Sequence, residues 1–310
     1  MAPRLVVQVS ASTSNLGPGF DFLGLCLGLH LRAVATVRAD AHEHVVVRPD
    51  APPDWRAEDD LMLAVLRAYV ARSDAPLPPL QLSVESEIPV GRGFGSSGAA
   101  VAAALLLAAD VDERAGRRAL SRDELVDVAL EVEGHPDNGT ASLLGGCTLS
   151  VPHAGGVTVV RQPVHDALGF ALAWPDEPLF TEAARSALPA EVPFADAVEN
   201  PRRLALLLEG LRTGAPGLLA LGVEDRLHER HRRALIPGSD DACRAARDAG
   251  AYAACLSGAG SGLVAIGPVD GMHPIASALA NPLSGGVGRV VAFAPDPPVV
   301  EPHAAPNGRD

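Results

Sequence analysis

Residues 89–98 read Pro-Val-Gly-Arg-Gly-Phe-Gly-Ser-Ser-Gly and run without a break into the apolar stretch Ala99–Ala109. No other segment restricts the chain as much. Glycine lets a backbone take positive φ and lets a ligand come close to it. A helix start then offers unpaired N–H groups and the positive end of the helix dipole. Together these make an anion site, most often one for phosphate. Ser96 and Ser97 add hydroxyls able to touch phosphate or a Mg²⁺ ion. The letters Gly93-Phe-Gly95-Ser-Ser-Gly98 also fit a dinucleotide fingerprint. That fingerprint needs a second parallel strand ending in an acidic residue about 20 positions on. Here a helix runs through Ala109, charged residues come next, and no strand precedes the next helix, so the Rossmann reading fails.

Composition sharpens this. The chain of 310 residues has no lysine, and all 25 of its basic residues are arginine. P-loop NTPases, protein kinases and Schiff-base enzymes each need a lysine and are excluded. A phosphate or carboxylate clamp must use Arg, backbone N–H groups or a metal. The net charge is −13. No basic run exceeds two residues outside Arg230-His231-Arg232-Arg233, so no nucleic-acid partner is expected. Ala99–Ala109 is the longest apolar run and falls short of the ~20 residues that cross a bilayer. With no hydrophobic signal segment after Met1 and four scattered cysteines (Cys26, Cys147, Cys243, Cys255), the expectation is a cytoplasmic protein with buried free thiols and no membrane partner. His42-x-His44 lacks a third ligand and reads as strand histidines, and Trp55 and Trp174 read as packing residues.

Strands are expected at Val6–Val9, Ala33–Val37, Val45–Val47, Leu80–Val84, Gly145–Val151, Val157–Val160, Phe170–Trp174, Ala251–Leu256, Leu263–Ile266 and Val287–Phe293. Helices are expected at Asp60–Ala71, Ala99–Ala109, Ser121–Glu133 with a capping box, Glu182–Leu188, Pro201–Leu211, Asp225–Leu235 and Asp240–Ala249. Ser10–His30 is left between two strands as a glycine-rich first loop. Pro49–Pro53 and Pro76–Pro79 are loops. Strands and helices mix without a strict βαβ rhythm, so the class is α+β. The loop Pro152–Gly156 suggests a division into 1–155 and 156–295, with a loose tail at 296–310.

The 89–98 segment resembles the second motif of the GHMP kinases, which bind ATP without a Walker lysine. Val9-Ser-Ala-Ser-Thr-Ser-Asn15-Leu-Gly-Pro-Gly-Phe-Asp21-Phe-Leu-Gly24 resembles the first motif, in the form found among homoserine kinases. Leu256-Ser-Gly-Ala-Gly-Ser-Gly262 resembles the third. Glu131-Val-Glu-Gly-His135-Pro-Asp-Asn138, Thr181-Glu-Ala-Ala-Arg185 and Asp225-Arg-Leu-His-Glu with Arg232 and Leu235-Ile-Pro-Gly238 agree as well. The likeness covers about residues 5–295. It departs at Ser261-Gly262 and at Gly139-Thr-Ala, and in lacking a proline near Arg230.

The resemblance implies a two-domain GHMP fold: an N-terminal ribosomal-protein-S5-like ATP-binding domain and a C-terminal ferredoxin-like domain. It implies transfer of a phosphoryl group from ATP to the side-chain hydroxyl of L-homoserine, in threonine biosynthesis, with Mg²⁺. Pro89, Val90, Gly91, Arg92, Gly93, Phe94, Gly95, Ser96, Ser97 and Gly98 would hold ATP. Asn15 and Asp21 would take the ammonium and hydroxyl end, and Arg185 and Arg232 the carboxylate. Ser97 and Glu131 would hold the metal. Glu133 is two residues away, and a helix turns ~200° over that step, so only one glutamate faces the site. Asn138 would position the hydroxyl. His135 and Asp137 stay open as bases, and Thr181 is either a phosphate contact or an N-cap. A homodimer is compatible with the family. Two rivals remain: a GHMP kinase acting on a mevalonate-like or sugar substrate, and a nucleotide-binding protein of this fold without catalysis.

Overall fold

The computed structural model describes residues 4–302 except 39, 50 and 52–54. The loop expected at 49–53 and the end of the expected tail fall largely outside the described residues.

β1 (Arg4–Asn15) and β2 (Gly19–Val37) form one long antiparallel hairpin. Ser10–His30 is therefore strand on both sides of a short turn, and not a loop. The reason is visible in the pattern. Leu23, Leu25, Leu27, Leu29 and Leu31 fall on every second residue, and all are buried. The turn between the strands is wound tightly, with positive φ at Asn15 (69°), Leu16 (48°) and Gly17 (77°).

The first unit continues with β3 (Val45–Val47), α1 (Leu61–Arg72), β4 (Leu80–Ser86), α2 (Ser96–Arg114), α3 (Arg122–Glu133), α4 (Asp137–Leu144), β5 (Cys147–His153) and β6 (Gly156–Gln162). Asp60 caps α1 by accepting the Met62 N–H, and Ser121 and Glu124 cap α3 reciprocally. α2 lies against β1 and β2. From Gly98 to Ala108 every one of its residues is buried, so it is a central helix, as an all-apolar surface requires.

The second unit holds β7 (Leu168–Trp174), α5 (Thr181–Ser186), α6 (Phe194–Thr213), α7 (Pro216–Gly222), α8 (Glu229–Arg233), α9 (Ser239–Asp248), β8 (Ala253–Leu256), β9 (Leu263–Pro268), α10 (Met272–Ala280) and β10 (Val287–Val291); β11 (Val300–Pro302) returns to the first. Among the described residues the first sheet runs β11-β1-β2-β4-β3, with β5 and β6 continuing from the other half of β2. The second runs β10-β7-β9-β8 and is antiparallel throughout. Both faces of the second sheet are covered. Ala171 and Ala173 meet Ala242, Ile275 and Leu279 of α9 and α10, while Phe170, Leu172, Val264 and Ile266 join the core of the first unit. At about 2 kcal/mol for each large side chain fully buried, this shared core fixes the two sheets against each other.

Two expectations about boundaries are corrected. Residues 156–162 pair with β5, so the loop at 152–156 is a hairpin turn and the crossing to the second sheet comes after Gln162. The stretch from 296 is not loose up to Pro302. Val300–Pro302 pair with Leu5–Val7, and Arg122 Nη2 donates to the Pro298 carbonyl. An unpaired edge on β1 is thereby closed.

Candidate active site

A cleft of about 1020 Å³ opens between the two units. Its floor is the turn from Gly91 into α2. Gly91, Gly93 and Gly95 all have positive φ, and Gly95 in the left-handed conformation serves as N-cap without a side-chain cap. The first helical bond is Ala99 N–H to the Gly95 carbonyl. The N–H groups of Ser96, Ser97 and Gly98 are thus left for the cleft. A Cβ at Gly95 would stand 2.1 Å from Ser12 Oγ, and one at Gly98 2.9 Å from Asn138.

Of the ten residues expected to hold ATP, Pro89, Val90, Gly91, Gly93, Gly95, Ser96, Ser97 and Gly98 line the cleft. Phe94 touches it but is buried edge-on against Trp174, so it anchors the turn. Arg92 points away. Its Nε donates to the Pro175 carbonyl at 2.9 Å and its Nη2 to that of Asp176, because the next residue, Gly93, turns the chain there. Its expected ATP contact is corrected accordingly.

The third glycine turn backs the first. Gly262 N–H donates to the Arg92 carbonyl at 3.1 Å and Ser257 Oγ–H to that of Gly93 at 2.7 Å.

The glutamate expectation is also corrected. Glu131 lies on the outer face of α3, its side chain 59% exposed and paired with Arg72 at 2.8 Å. Glu133, at the C-terminal end of the same helix, lines the cleft. Its Oε2 is buried without a hydrogen-bond partner. Burial pushes its pKa up to about 7, with the negative charge of Asp137 adding to the rise and His135 and Ser97 opposing it.

Asn138 sits in the first turn of α4 and is held from β1. Ser12 Oγ–H donates to its Oδ1 at 2.9 Å, and its Nδ2 donates to Ser14 Oγ at 3.0 Å. His135 Nδ1 lies 2.7 Å from Asp137 Oδ1, which also accepts the Asn138 N–H at 2.8 Å. Burial raises the Asp137 pKa, but His135, the Asn138 N–H and Ser14 together outweigh it and hold the carboxyl below its usual range. Burial lowers that of His135, and the Asp137 bond and charge, helped by Glu133, reverse the sign. An aspartate so satisfied is a poor proton acceptor. Thr181 is the first residue of α5, with Phe180 as N-cap, and lines the cleft. It is not the N-cap.

The remaining wall is built by the first loop and by two arginines. Asp21 and Arg185 form a two-pronged ion pair, 2.8 and 2.9 Å long. Asn15 is engaged within the loop. Its Nδ2 donates to the Gly258 carbonyl at 2.8 Å and its Oδ1 accepts the Asp21 N–H at 3.0 Å. Arg232 is only 1% exposed. Its Nη1 donates to His228 Nδ1 (3.2 Å) and to the Gly258 carbonyl (3.3 Å), and its guanidinium lies 5.0 Å from the Phe20 ring centre. Among the described residues no carboxylate pairs with it. Burial and the charge of Arg185 push its pKa down.

Sequence reasoning missed Ser12, Ser14, Phe20 and His228, and it named Glu133 only as the alternative to Glu131. The alternation Ser10, Ser12, Ser14 was the available signal for the first two, since a strand puts all three on one face. Trp55, expected to pack, does pack on the core but also lines the cleft beside Asp60 and Leu61. Among the described residues no helix is long and apolar enough to cross a membrane, and no three His, Cys, Asp or Glu residues cluster as a metal cage.

A lysine-free glycine turn that aims a helix start into a cleft between two α+β units defines a class of small-molecule kinases. The sequence matches the GHMP kinases N terminal domain over residues 60–146 and the GHMP kinases C terminal domain over residues 207–281. The chain belongs to the GHMP kinase family. It is 40% identical over 276 residues to a homoserine kinase of Thermosynechococcus vestitus, covering 88% of this chain and 90% of that one. It is 38% identical over 280 residues to a homoserine kinase of Clavibacter michiganensis, covering 89% and 86%. Its fold is similar to the crystal structure of homoserine kinase from Cytophaga hutchinsonii, with a TM-score of 0.84, 25% identity and 97% and 98% of the two chains covered.

Proposed function

We propose that the cleft transfers the γ-phosphoryl group of ATP to the side-chain hydroxyl of L-homoserine. The observation that carries this reading is Arg232, a buried guanidinium with no carboxylate partner among the described residues, in a cleft whose floor is an anion-binding helix start. Leaving such a charge unpaired costs several kcal/mol, which a bound carboxylate offsets. The relatives named homoserine kinase, at 36–40% identity over nearly the whole chain, support the same substrate.

An α-amino acid is a zwitterion, and the wall it meets is charged to match. Its carboxylate goes to Arg232, joined by Arg185. Its ammonium goes to Asp21, whose carboxylate is released from Arg185 as the substrate enters the pair. Asn15 holds the loop that carries Asp21. The side-chain hydroxyl then points towards Asn138, which Ser12 and Ser14 keep in one orientation. The N–H groups of Ser96, Ser97 and Gly98 hold the ATP phosphates.

Phosphoryl transfer passes through a loose transition state that needs positioning and charge neutralisation more than a strong base. The low-pKa Asp137 fits that picture. It orders His135 and the start of α4, and the hydroxyl proton leaves with the transferred phosphate or with water. The residues also fit Mg²⁺, since Glu133 offers an unpartnered buried oxygen and Ser97 a hydroxyl beside the phosphates. Mg²⁺ takes one or two protein oxygens and the rest from phosphate and water. When bound it would neutralise charge on the β- and γ-phosphates.

ADP release with Mg-ATP tests the reading, comparing L-homoserine with L-serine, L-threonine, mevalonate and galactose. Turnover selective for L-homoserine is expected. ATP binding without turnover on any of them would overturn the proposal.

A further inference from the structure

His228 lies outside the cleft, 1% exposed, at the residue just before α8. Its ring has two polar neighbours of fixed character. Nε2 is 2.9 Å from the Gly17 carbonyl, which can only accept. Nδ1 is 3.2 Å from Arg232 Nη1, which can only donate. One arrangement satisfies both: a neutral imidazole with its proton on Nε2 and its lone pair on Nδ1. A proton on Nδ1 would set two donors against each other. The charged groups facing the ring are Arg232 and Asp225, whose Oδ1 is 3.9 Å from Nε2. Asp225 also fixes the ring's backbone, because its Oδ2 accepts the N–H groups of Leu227, His228 and Glu229.

The ring faces are committed too. Phe20 stacks on the imidazole at 4.9 Å, and the same phenyl ring carries the Arg232 guanidinium at 5.0 Å and that of Arg185 at 5.8 Å. His228 and Phe20 thus hold Arg232 from two directions, and His228 ties it to the turn that leads to Asp21. Gly17 could not shift to another anchor cheaply. A Cβ there would stand 2.1 Å from the Val223 carbonyl, so the turn is already seated against that backbone.

We propose that His228, as the neutral Nε2–H tautomer, is the positioning residue that aims the Arg232 guanidinium and links its place to that of Asp21. The role rests on the reading of Arg232 as the carboxylate contact. His228 touches neither substrate nor phosphate, so its effect falls on the amino acid and not on ATP.

Two variants separate its two bonds. The Asn oxygen of His228→Asn stands near Nδ1 and keeps the acceptor for Arg232. The Gln amide of His228→Gln reaches towards Nε2 and keeps the donor to Gly17, but gives Arg232 no acceptor. His228→Gln is expected to raise the L-homoserine KM about tenfold or more, the usual size of a lost bond to a charged group, with ATP KM within twofold of wild type. His228→Asn is expected to raise it only a few-fold. In the wild-type protein, long-range ¹H–¹⁵N spectra should show the His228 imidazole, assigned through its contacts with Phe20, protonated on Nε2 alone near pH 7.5. A proton on Nδ1, or on both nitrogens, would overturn the proposal even if neither variant folded. So would an unchanged L-homoserine KM in His228→Gln while Arg232→Ala raises it. An unchanged KM in Arg232→Ala would instead remove the carboxylate reading, and this role with it.

Discussion

The turns at 91–98 and 257–262 are written in the same residues, glycine and serine, yet they direct their backbone groups in opposite ways. The first leaves the N–H groups of a helix start facing the cleft, with glycines where a Cβ would strike Ser12 or Asn138. The second turns Ser257 and Gly262 onto the first, while Gly258, Ala259 and Gly260 border the cleft. Its Gly262 N–H and Ser257 hydroxyl bond the carbonyls of Arg92 and Gly93, and its Gly258 carbonyl accepts from Asn15 and Arg232. The two turns differ in the element each one feeds. The first leads into a buried helix, which supplies a positive dipole end, whereas the second leads into strand β9, which supplies none. Glycine content alone therefore does not set which way a turn faces its backbone groups.

The contrast can be broken most directly at Gly95. A valine there needs a φ of +67° that a β-branched residue avoids, and its Cβ meets Ser12. ATP affinity should fall more than a hundredfold in calorimetry, with the far-UV circular dichroism retained. Unchanged affinity would mean that the first turn does not hold phosphate. Next in size is Glu133→Gln. If Glu133 works with Ser97 on the metal, Mg-ATP turnover should drop about a hundredfold. At the same time the apo protein should become more stable at pH 8. The sign comes from a folded-state pKa raised to about 7: the carboxylate costs folding free energy increasingly as the pH rises above the ordinary glutamate value, in full once it passes that folded-state pKa, and a neutral amide removes the cost. A rise of roughly 2 °C or more in melting temperature is expected. A fall would show that the buried carboxylate is stabilising.

Arg232→Ala probes how far the second turn reaches. It should raise the L-homoserine KM about 30-fold, as expected for a lost charged contact, and leave ATP binding nearly intact. Equal damage to both would merge the two sites. The smallest functional change is expected for Gly262→Ala. Its Cβ would stand 2.3 Å from the Arg92 carbonyl and 2.4 Å from Phe94 Cζ. The new methyl group meets backbone as well as a buried ring, so the melting temperature should fall by roughly 5 °C while ATP affinity stays within threefold. A large loss of affinity at an unchanged melting temperature would make the second turn a phosphate contact in its own right.

Much of this was legible in the sequence, and the gaps have physical causes. The capping box at Ser121, the Asp60 cap, the central helix and the glycine turn each announce themselves through local chemistry. Ser10–His30 did not, because glycine and serine suggested a loop while the alternating leucines were already a strand pattern. The choice between Glu131 and Glu133 could not be made locally. Both lie on one helix, and only the placement of α3 against α2 and α4 decides which faces inward. Arg92 shows a similar limit, since its direction is set by carbonyls at Pro175 and Asp176, some eighty residues away. α7 and α10 were missed because each is short and rich in residues that also suit loops or strands.

β11 has a consequence for how the chain is made. β1 leaves the ribosome almost 300 residues ahead of the strand that covers its edge. At about 5–20 residues per second, some 300 residues keep that edge bare for roughly 15–60 s. Through that interval Leu5, Val6 and Val7 present an open, apolar strand to any other chain nearby. Translation that stopped shortly before Val300 would release a protein with its cleft built and its first strand still adhesive.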